Sequence, residues 1–280
     1  MKTYLKTKDY FFTNDEFELL YDQELDMLVT HPQPKDISEY YDSTNYISHS
    51  DNTKNLIDKI YHIIKNYSLN KKTRLINNYA SKNKTLLDIG AGTADFLIKA
   101  KKSKWLVTGV EPNPIAREKA KQKGMELQPN LNLLSKQQFN IITLWHVLEH
   151  LPNLEKDIQK IIESLEDNGT LIIAVPNYKS YDAKKYNKYW AAYDVPRHLW
   201  HFSKTSIHKL FKKHNLEIIK IKPMIFDSFY VALLSEKYQH HSFAYLKAFY
   251  YGLLSNLKAL HTKEHSSLIY IIKKKKNSYS

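Results

Sequence analysis

An acidic residue and two glycines lie close together in the stretch Leu-Leu-Asp-Ile-Gly-Ala-Gly-Thr-Ala-Asp-Phe, residues 86 to 96. Gly90 allows a sharp turn, and Gly92 leaves the backbone bare so that a ligand can approach it closely. Asp88 can meet a cationic or hydrogen-bond-donating ligand. The dinucleotide fingerprint GxGxxG requires a third glycine where this chain has Asp95. The pattern therefore disfavours a pyrophosphate-binding turn.

A second acidic residue, Glu111, ends the run Val-Thr-Gly-Val-Glu and is followed by Pro-Asn113. It follows Asp88 at close to the interval of about 20 residues at which an acidic side chain binds ribose hydroxyls in nucleotide-binding folds. A carboxylate suits this task because it can accept hydrogen bonds from both hydroxyls of a vicinal diol. These residues predict a ligand that contains a ribose.

Histidines supply the candidates for proton transfer, since imidazole titrates near neutral pH. They are His146, His150, His198 and His201. We favour His146 as the general base because it directly follows a predicted strand; for each histidine, a hydrogen-bonded packing role is the alternative. Arg197 is predicted to anchor a carboxylate or phosphate through its planar guanidinium. An internal ion pair with Asp194 or Glu149 is the alternative for this arginine.

Apolar runs and helical segments alternate between residues 84 and 177, and the acidic and histidine groups follow the apolar runs. This alternation predicts a parallel sheet covered by helices on both faces. In such a sheet the loops after the strands line one ligand-binding crevice. We therefore expect the acidic residues, the glycine turn and His146 to lie at the same edge of the sheet.

Four segments, in this order, resemble the class I S-adenosylmethionine (SAM)-dependent methyltransferases. Asp88-Ile-Gly-Ala-Gly-Thr resembles motif I of that family, and residues 107–113 resemble its second strand. Residues 139–152, which contain Leu-Glu-His, resemble the fourth strand and the signature behind it, and residues 169–177 resemble the fifth strand. The resemblance implies a Rossmann-like α/β fold with a seven-stranded, mostly parallel sheet, an antiparallel last strand and helices on both faces. It also implies SAM as cofactor, bound by Asp88, Gly90, Gly92, Glu111 and Asn113.

Two additions to this domain are expected. Within residues 1–50, Thr30-His-Pro-Gln-Pro34 and residues 40–49 resemble the N-terminal arm of bacterial methyltransferases found with polysaccharide and natural-product genes, in many of which a zinc ribbon precedes the arm. This chain has no cysteine, so we interpret the arm as a degenerate remnant of that region. Residues 51–280 would form the methyltransferase domain. Residues 178–203 are rich in aromatic side chains and are predicted to form a lid over an organic acceptor.

Composition limits the remaining possibilities. The absence of cysteine excludes disulfides, thiolate metal sites and cysteine nucleophiles. The formal net charge is +13, which could attract nucleic acid, anionic lipid or a phosphorylated substrate, but dispersed lysines are more often a solvated surface. We find no signal peptide or membrane-spanning run and expect a cytoplasmic protein. Five aromatic residues cluster near the C-terminal end of the chain: Phe243, Tyr245, Phe249, Tyr250 and Tyr251. Packing against the sheet is the favoured interpretation of this cluster, and peripheral membrane contact is the alternative.

The leading functional hypothesis is methyl transfer from SAM to a small-molecule acceptor, with a hydroxyl of a glycan, lipid-linked or secondary-metabolite substrate favoured and no metal required. His146, His150, His198 and Arg197 are the candidate catalytic residues.

The first alternative is an RNA 2′-O-methyltransferase with a divalent metal at Glu149, His150 and His198. Metal-dependent relatives carry Glu-x-x-Glu-His, and this chain resembles that motif with His146 in place of the first Glu. The second alternative is a non-enzymatic SAM-binding protein, against which the intact motif I argues. We do not expect nucleic acid as a partner, because the arm is acidic and no RNA-binding module is recognised.

Overall fold

The computed structural model describes residues 1–40, 56–134 and 137–275. The strands are β1 (Lys2–Lys8), β2 (Glu16–Asp22), β3 (Met27–His31), β4 (Thr85–Ile89), β5 (Leu106–Val110), β6 (Phe139–Trp145), β7 (Leu165–Pro176), β8 (Trp200–His201), β9 (Leu216–Pro223) and β10 (Ser267–Lys274). The helices are α1 (Leu56–Asn77), α2 (Asp95–Lys102), α3 (Pro114–Gln122), α4 (Leu154–Glu163), α5 (Tyr181–Tyr186), α6 (Lys204–Lys213), α7 (Asp227–Tyr238) and α8 (Ala244–Thr262).

These elements group into two compact units, which are described separately. The first unit is built from described residues within 1–42, 146–152 and 174–270. The second unit is built from described residues within 43–145, 153–173 and 271–280.

Parallel strands form the centre of the second unit. β4 pairs in parallel with β5 on one side and with β6 on the other. Consecutive side chains of β4 point to opposite faces, and Leu86 and Leu87 are both fully buried. Both faces of the strand are therefore covered, as its continuous apolar run predicts. α2 begins at Asp95, directly after the glycine turn that ends β4.

The larger sheet has the strand order β5-β4-β6-β7-β10-β9, so the last strand of the chain lies between β7 and β9. This confirms the predicted α/β class with a mostly parallel central sheet. The sheet has six strands among the described residues, not the predicted seven. Next to β5, Val110 and Gln128 form only an isolated parallel bridge. Pro129 follows Gln128 and has no N–H group, so the ladder cannot continue through it.

An antiparallel sheet of its own is formed by the N-terminal segment. Its strand order is β1-β2-β3-β8, with each neighbouring pair antiparallel. Alternate residues of β2 are buried, and Phe17 and Leu19 enter the core together with Leu28 of β3. The predicted N-terminal arm is thus strand-rich over residues 2–31, while residues 41–50 of that arm lie outside the described residues.

The segment predicted as a lid contributes to the core of the first unit. Tyr186, Trp190 and Tyr193 are buried and pack in one cluster with the strands of the N-terminal sheet and with α7 and α8. The indole Nε1 of Trp190 donates a hydrogen bond to Asp182 Oδ2 at 2.8 Å. These three aromatic side chains are held by internal packing, and the lid over residues 178–203 stays a prediction.

Small residues bring α7 and α8 close together. A Cβ atom added at Gly252 of α8 would lie 2.7 Å from the ring and 2.9 Å from the Cα of Phe229 in α7. Larger side chains of α8 therefore cannot occupy this contact and lie elsewhere on the helix surface.

No helix in the described part of the chain combines the length and hydropathy needed to cross a bilayer.

Candidate functional site

The turn between β4 and α2 presents bare backbone to open space. Gly90, Gly92 and Ala94 all have left-handed φ angles, of 70°, 53° and 63°. The N–H groups of Gly90 and Ala91 donate to the carbonyl oxygen of Val110, at 2.8 and 3.0 Å, which fixes the turn against the end of β5. A Cβ atom at Gly92 would meet no described atom within 4 Å. A ligand can therefore approach the chain at this position.

The carboxylate of Glu111 connects this turn to the next loop. Its Oε2 accepts a hydrogen bond from the N–H of Gly92 at 2.8 Å, and its Oε1 accepts one from the N–H of Asn113 at 2.9 Å. A carboxylate offers about four acceptor positions, so the group retains capacity for ligand hydroxyls. Asn113 itself caps α3, since its Oδ1 accepts from the backbone N–H groups of Ile115 and Ala116. The structure thus gives the side chain of Asn113 a local role that holds Glu111 in place.

Asp88 is buried at the end of β4. Burial raises its pKa to about 7, although a 2.6 Å hydrogen bond from Thr143 Oγ1 and the charge of Lys72 act in the opposite direction. A carboxyl group with this pKa is half ionised near neutrality. A cationic ligand would favour its charged form.

Lys72 is a residue of this site that the sequence did not indicate. It lies on α1, and its Nζ is 4.4 Å from the ring centroid of Trp145, the last residue of β6. Its charge also acts on Asp88. No motif distinguishes it from the other lysines of α1, and only the packing of this helix on the sheet shows that it accompanies the acidic groups.

His146 is held between two carboxylates of the first unit. Its Nε2 lies 2.9 Å from Asp227 Oδ2, and its Nδ1 lies 3.3 Å from Glu149 Oε1. Burial works to lower the pKa of His146, but the hydrogen bonds that the ring donates to Asp227 and Glu149, together with their negative charges, outweigh it and raise the pKa to about 10. The ring is then already protonated at neutral pH. This geometry argues against His146 as the general base and favours a charged, structural imidazolium.

Glu149, His150 and His198 place one ligand atom each within 4.8 Å of one another. The two imidazole rings are in edge-to-face contact, with centroids 4.5 Å apart. The Nδ1 of His150 lies 2.9 Å from the carbonyl oxygen of Arg197, and the Nδ1 of His198 lies 2.9 Å from that of Ala192. A carbonyl only accepts, so each Nδ1 carries the proton and Nε2 is the unprotonated nitrogen of the neutral ring.

The carboxylate of Glu149 completes this group. Burial works to raise the pKa of Glu149, but the hydrogen bond from His146 helps to bring it below its usual value, so the group is ionised. Burial lowers the pKa of His150 to about 4. The Oε2 atom of Glu149 is buried and has no hydrogen-bond partner among the described residues. A buried carboxylate oxygen with two imidazole rings close by fits either a proton-accepting centre or a divalent cation.

Arg197 and His201 are both engaged inside the first unit. Arg197 Nη2 lies 2.7 Å from Asp9 Oδ1 and 2.7 Å from Asp194 Oδ1, and its side chain is only 1% exposed. The structure therefore favours the internal ion pair over the predicted anchor for an acceptor, with Asp9 as a partner that the sequence did not indicate. His201 Nε2 lies 3.0 Å from Thr30 Oγ1, which itself donates to the carbonyl oxygen of His198. His201 thus serves the packing of β8 against β3.

Comparisons with known proteins agree with this fold. A family model described as a methyltransferase domain matches residues 43–221. Among solved structures, magnesium protoporphyrin IX methyltransferase from Synechocystis PCC 6803 with bound S-adenosylhomocysteine (SAH) has a TM-score of 0.56 at 14% identity, over 85% of this chain and 97% of that one. A SAM-dependent methyltransferase from Thermotoga maritima, a possible histamine N-methyltransferase, has a TM-score of 0.52 at 14% identity, over 78% of this chain and 94% of that one. No sequence among the curated proteins matches this chain significantly.

Proposed function

The chain belongs to the SAM-dependent methyltransferases, since the family model covers well over half of its length, and from this premise we propose that it methylates a hydroxyl oxygen of a small organic acceptor. The observation that carries the proposal is the Glu111 carboxylate, which hydrogen-bonds the open Gly92 turn and keeps acceptor capacity for a ribose. The Synechocystis and Thermotoga proteins, which share the fold, are by name methyltransferases of small molecules.

The second unit would hold the cofactor. When bound, SAM supplies an electrophilic methyl group on a positively charged sulfur. Glu111 accepts hydrogen bonds from the ribose hydroxyls, and the backbone of Gly90 and Gly92 allows close approach. Asp88 contributes negative charge for the cationic part of the ligand, and we assign Lys72 to its carboxylate, because it is the cation that acts on Asp88. Together these residues orient the cofactor for in-line transfer.

Methylation of a hydroxyl also requires a group that accepts its proton. We assign this proton to Nε2 of His198, because its Nδ1 is fixed as a donor to the carbonyl oxygen of Ala192. The Asp194 Oδ2 atom, 3.9 Å from this Nε2, and the Glu149 carboxylate stabilise the imidazolium that forms. His146 holds Glu149 in position from the other side through its own hydrogen bond. Proton removal of this kind contributes about 10²- to 10⁴-fold to a rate.

Methyl transfer from radiolabelled SAM into fractionated small molecules, lipids and RNA tests the proposal. Label should enter a small-molecule fraction, and His198→Ala should lower the rate by about 10²- to 10⁴-fold with little change in SAM affinity. His208→Ala, which alters an exposed histidine of α6, is the matched control and should be normal. Label in RNA alone, or equal rates for both variants, would overturn the acceptor class or the proton assignment respectively.

Metal-dependent methyl transfer is the second candidate, favoured by the buried Oε2 of Glu149 that has no partner among the described residues. The residues fit a divalent ion, because two imidazoles and one carboxylate suit Zn²⁺ or Fe²⁺ more than Mg²⁺. Glu149, His150 and His198 would hold it. The hydrogen bonds from both Nδ1 atoms to backbone carbonyls would orient the rings, as in known metal sites.

Metal content separates the two candidates without relying on activity. The purified protein is analysed for bound metal beside Glu149→Gln and the control Glu155→Gln, which alters an exposed residue of α4. A stoichiometric ion that only Glu149→Gln loses would establish the metal site. Metal-free protein that gains neither ion nor activity from added Zn²⁺ or Fe²⁺ would reject it. An RNA 2′-hydroxyl remains the alternative acceptor for a metal-bearing form, and label in the RNA fraction would identify it.

A further inference from the structure

The orientation of α8 is inverted relative to an ordinary surface helix. Its buried positions carry small residues, which are Ala248, Gly252, Ser255 and Ala259. Its large apolar residues point to solvent, with exposed fractions from 41% to 70%, and these are Leu246, Phe249, Tyr250, Leu253, Leu257 and Leu260. We call these six residues the α8 face. A helix that only packs on its own core places its large apolar side chains inward, so the α8 face requires another explanation.

The α8 face is one continuous stripe. Its members recur at intervals of three or four residues, which places them on the same side of a helix. The stripe extends toward the turn before α7, because Asn256 Nδ2 donates to the carbonyl oxygen of Ile225 at 3.0 Å. Ile225 and its neighbour Phe226 are 45% and 42% exposed. At the other end, Phe243 precedes the helix and is 77% exposed.

Charge indicates what covers this stripe. Between Glu236 and Glu264 the chain contains no acidic residue, whereas it contains four lysines: Lys237, Lys247, Lys258 and Lys263. A symmetric dimer through the α8 face would bring the lysines of this segment closer to those of the second subunit, because both subunits use the same patch. An anionic bilayer offers the complementary charge together with an apolar interior. Tyrosine and phenylalanine beside leucine and lysine are the composition of helices that lie in the membrane interface.

From this juxtaposition we propose that the α8 face docks on the surface of an anionic lipid bilayer. The helix lies flat, its leucine and aromatic side chains enter the boundary between headgroups and acyl chains, and the lysines contact the headgroups. The inference does not depend on methyl transfer and would hold for any acceptor. Lipid binding by the α8 face is therefore separate from cofactor binding by the residues of the second unit.

Vesicle flotation tests the proposal with the full chain. Wild-type protein should float with vesicles of phosphatidylcholine and phosphatidylglycerol in equal amounts, and more weakly with phosphatidylcholine alone or at high salt. The triple variant Leu246→Ser, Phe249→Ser, Leu253→Ser should lose at least about tenfold in bound fraction. Its matched control is Leu106→Ser, Ile115→Ser, Leu133→Ser, which removes three exposed apolar side chains of the second unit and should bind like wild type.

Two outcomes would overturn the proposal. Wild-type protein that does not float with the anionic vesicles, or equal binding by both triple variants, would reject a lipid-docking α8 face. Sedimentation velocity of the same proteins without lipid covers the remaining occupant: a dimer that only the α8 variant loses would assign the face to a second copy of the chain. Since all substituted side chains are exposed, unchanged circular dichroism and thermal midpoints would show that the variants are folded.

Discussion

Replacing Glu111 by glutamine should lower both the folding stability and the affinity for the cofactor, and the structure indicates the size of each loss. The two carboxylate oxygens accept separate backbone hydrogen bonds, from Gly92 at 2.8 Å and from Asn113 at 2.9 Å. A glutamine has one oxygen and one NH₂ group, so one of the two partly buried N–H groups faces a donor. An orphaned donor costs about 1–3 kcal/mol of folding stability. The loss of the negative charge also removes the charge-assisted hydrogen bonds to the ribose, worth about 1.5–3 kcal/mol, or about 10- to 100-fold in affinity.

Calorimetry with SAH and urea denaturation measure these two effects separately. Glu118→Gln on α3 is the matched control, because Glu118 is exposed and its carboxylate accepts a hydrogen bond from Gln122 within its own helix. We expect Glu111→Gln to bind SAH about 10- to 100-fold more weakly and Glu118→Gln to bind normally. An SAH affinity within about threefold of wild type, with the stability loss present, would show that Glu111 only braces the turn and would refute its role in binding.

Three further predictions concern the buried charges and the glycine turn. Asp9→Asn should lower the unfolding free energy by about 3–5 kcal/mol, because the Asp9 and Arg197 side chains are 0% and 1% exposed and form an ion pair of 2.7 Å. Asp15→Asn, at an exposed position, should cost under about 1 kcal/mol. Similar urea midpoints for the two variants would contradict this. SAM affinity should rise about tenfold from pH 6 to pH 8, since burial raises the pKa of Asp88 to about 7 and a cationic ligand prefers the ionised carboxyl. If SAM affinity depended on pH in the same way in Asp88→Asn, this assignment would be contradicted. Gly92→Ala should fold with a penalty of about 1–2 kcal/mol for its left-handed φ but bind SAH at least about tenfold more weakly, and normal binding would place the ligand elsewhere.

The sequence predicted those parts of the protein that depend on local signals. Apolar runs that end in an acid or a glycine turn identified β4, β5 and the position of Glu111, because buried parallel strands and tight turns impose composition directly on the chain. The family and the fold class followed from the same segments. A single bridge at Gln128 in place of a further strand could also have been anticipated, since Pro129 interrupts that run.

Contacts between distant segments could not be predicted in this way. Asp9 and Arg197 are 188 positions apart, and nothing near Asp9 marks it as the partner of a buried arginine. The pKa of His146 depends on Asp227, which lies on α7, far from His146 in the sequence. The prediction of His146 as a base could not take this carboxylate into account. Long-range pairing of this kind is set by packing, which a single sequence does not display.

The predicted packing of residues 243–251 against the sheet is wrong for most of their aromatic side chains. Phe243, Tyr245, Phe249 and Tyr250 are 57% to 77% exposed. Tyr251 alone is half-buried, beside Tyr186. Small residues at Ala248, Gly252, Ser255 and Ala259 recur with helical spacing and marked the buried side of α8. Weighing these small residues as a contact surface would have predicted that the aromatics point outward.

The crystal structure of the protein in complex with SAH is the most direct test of the central claim, which is that the glycine turn and Glu111 hold the methyl donor. We predict that the ribose hydroxyls lie within hydrogen-bond distance of the Glu111 carboxylate and that the ligand passes over the backbone of Gly90 and Gly92. SAH bound at another place in the chain, or a protein that takes up no SAH at saturating concentration, would contradict the account.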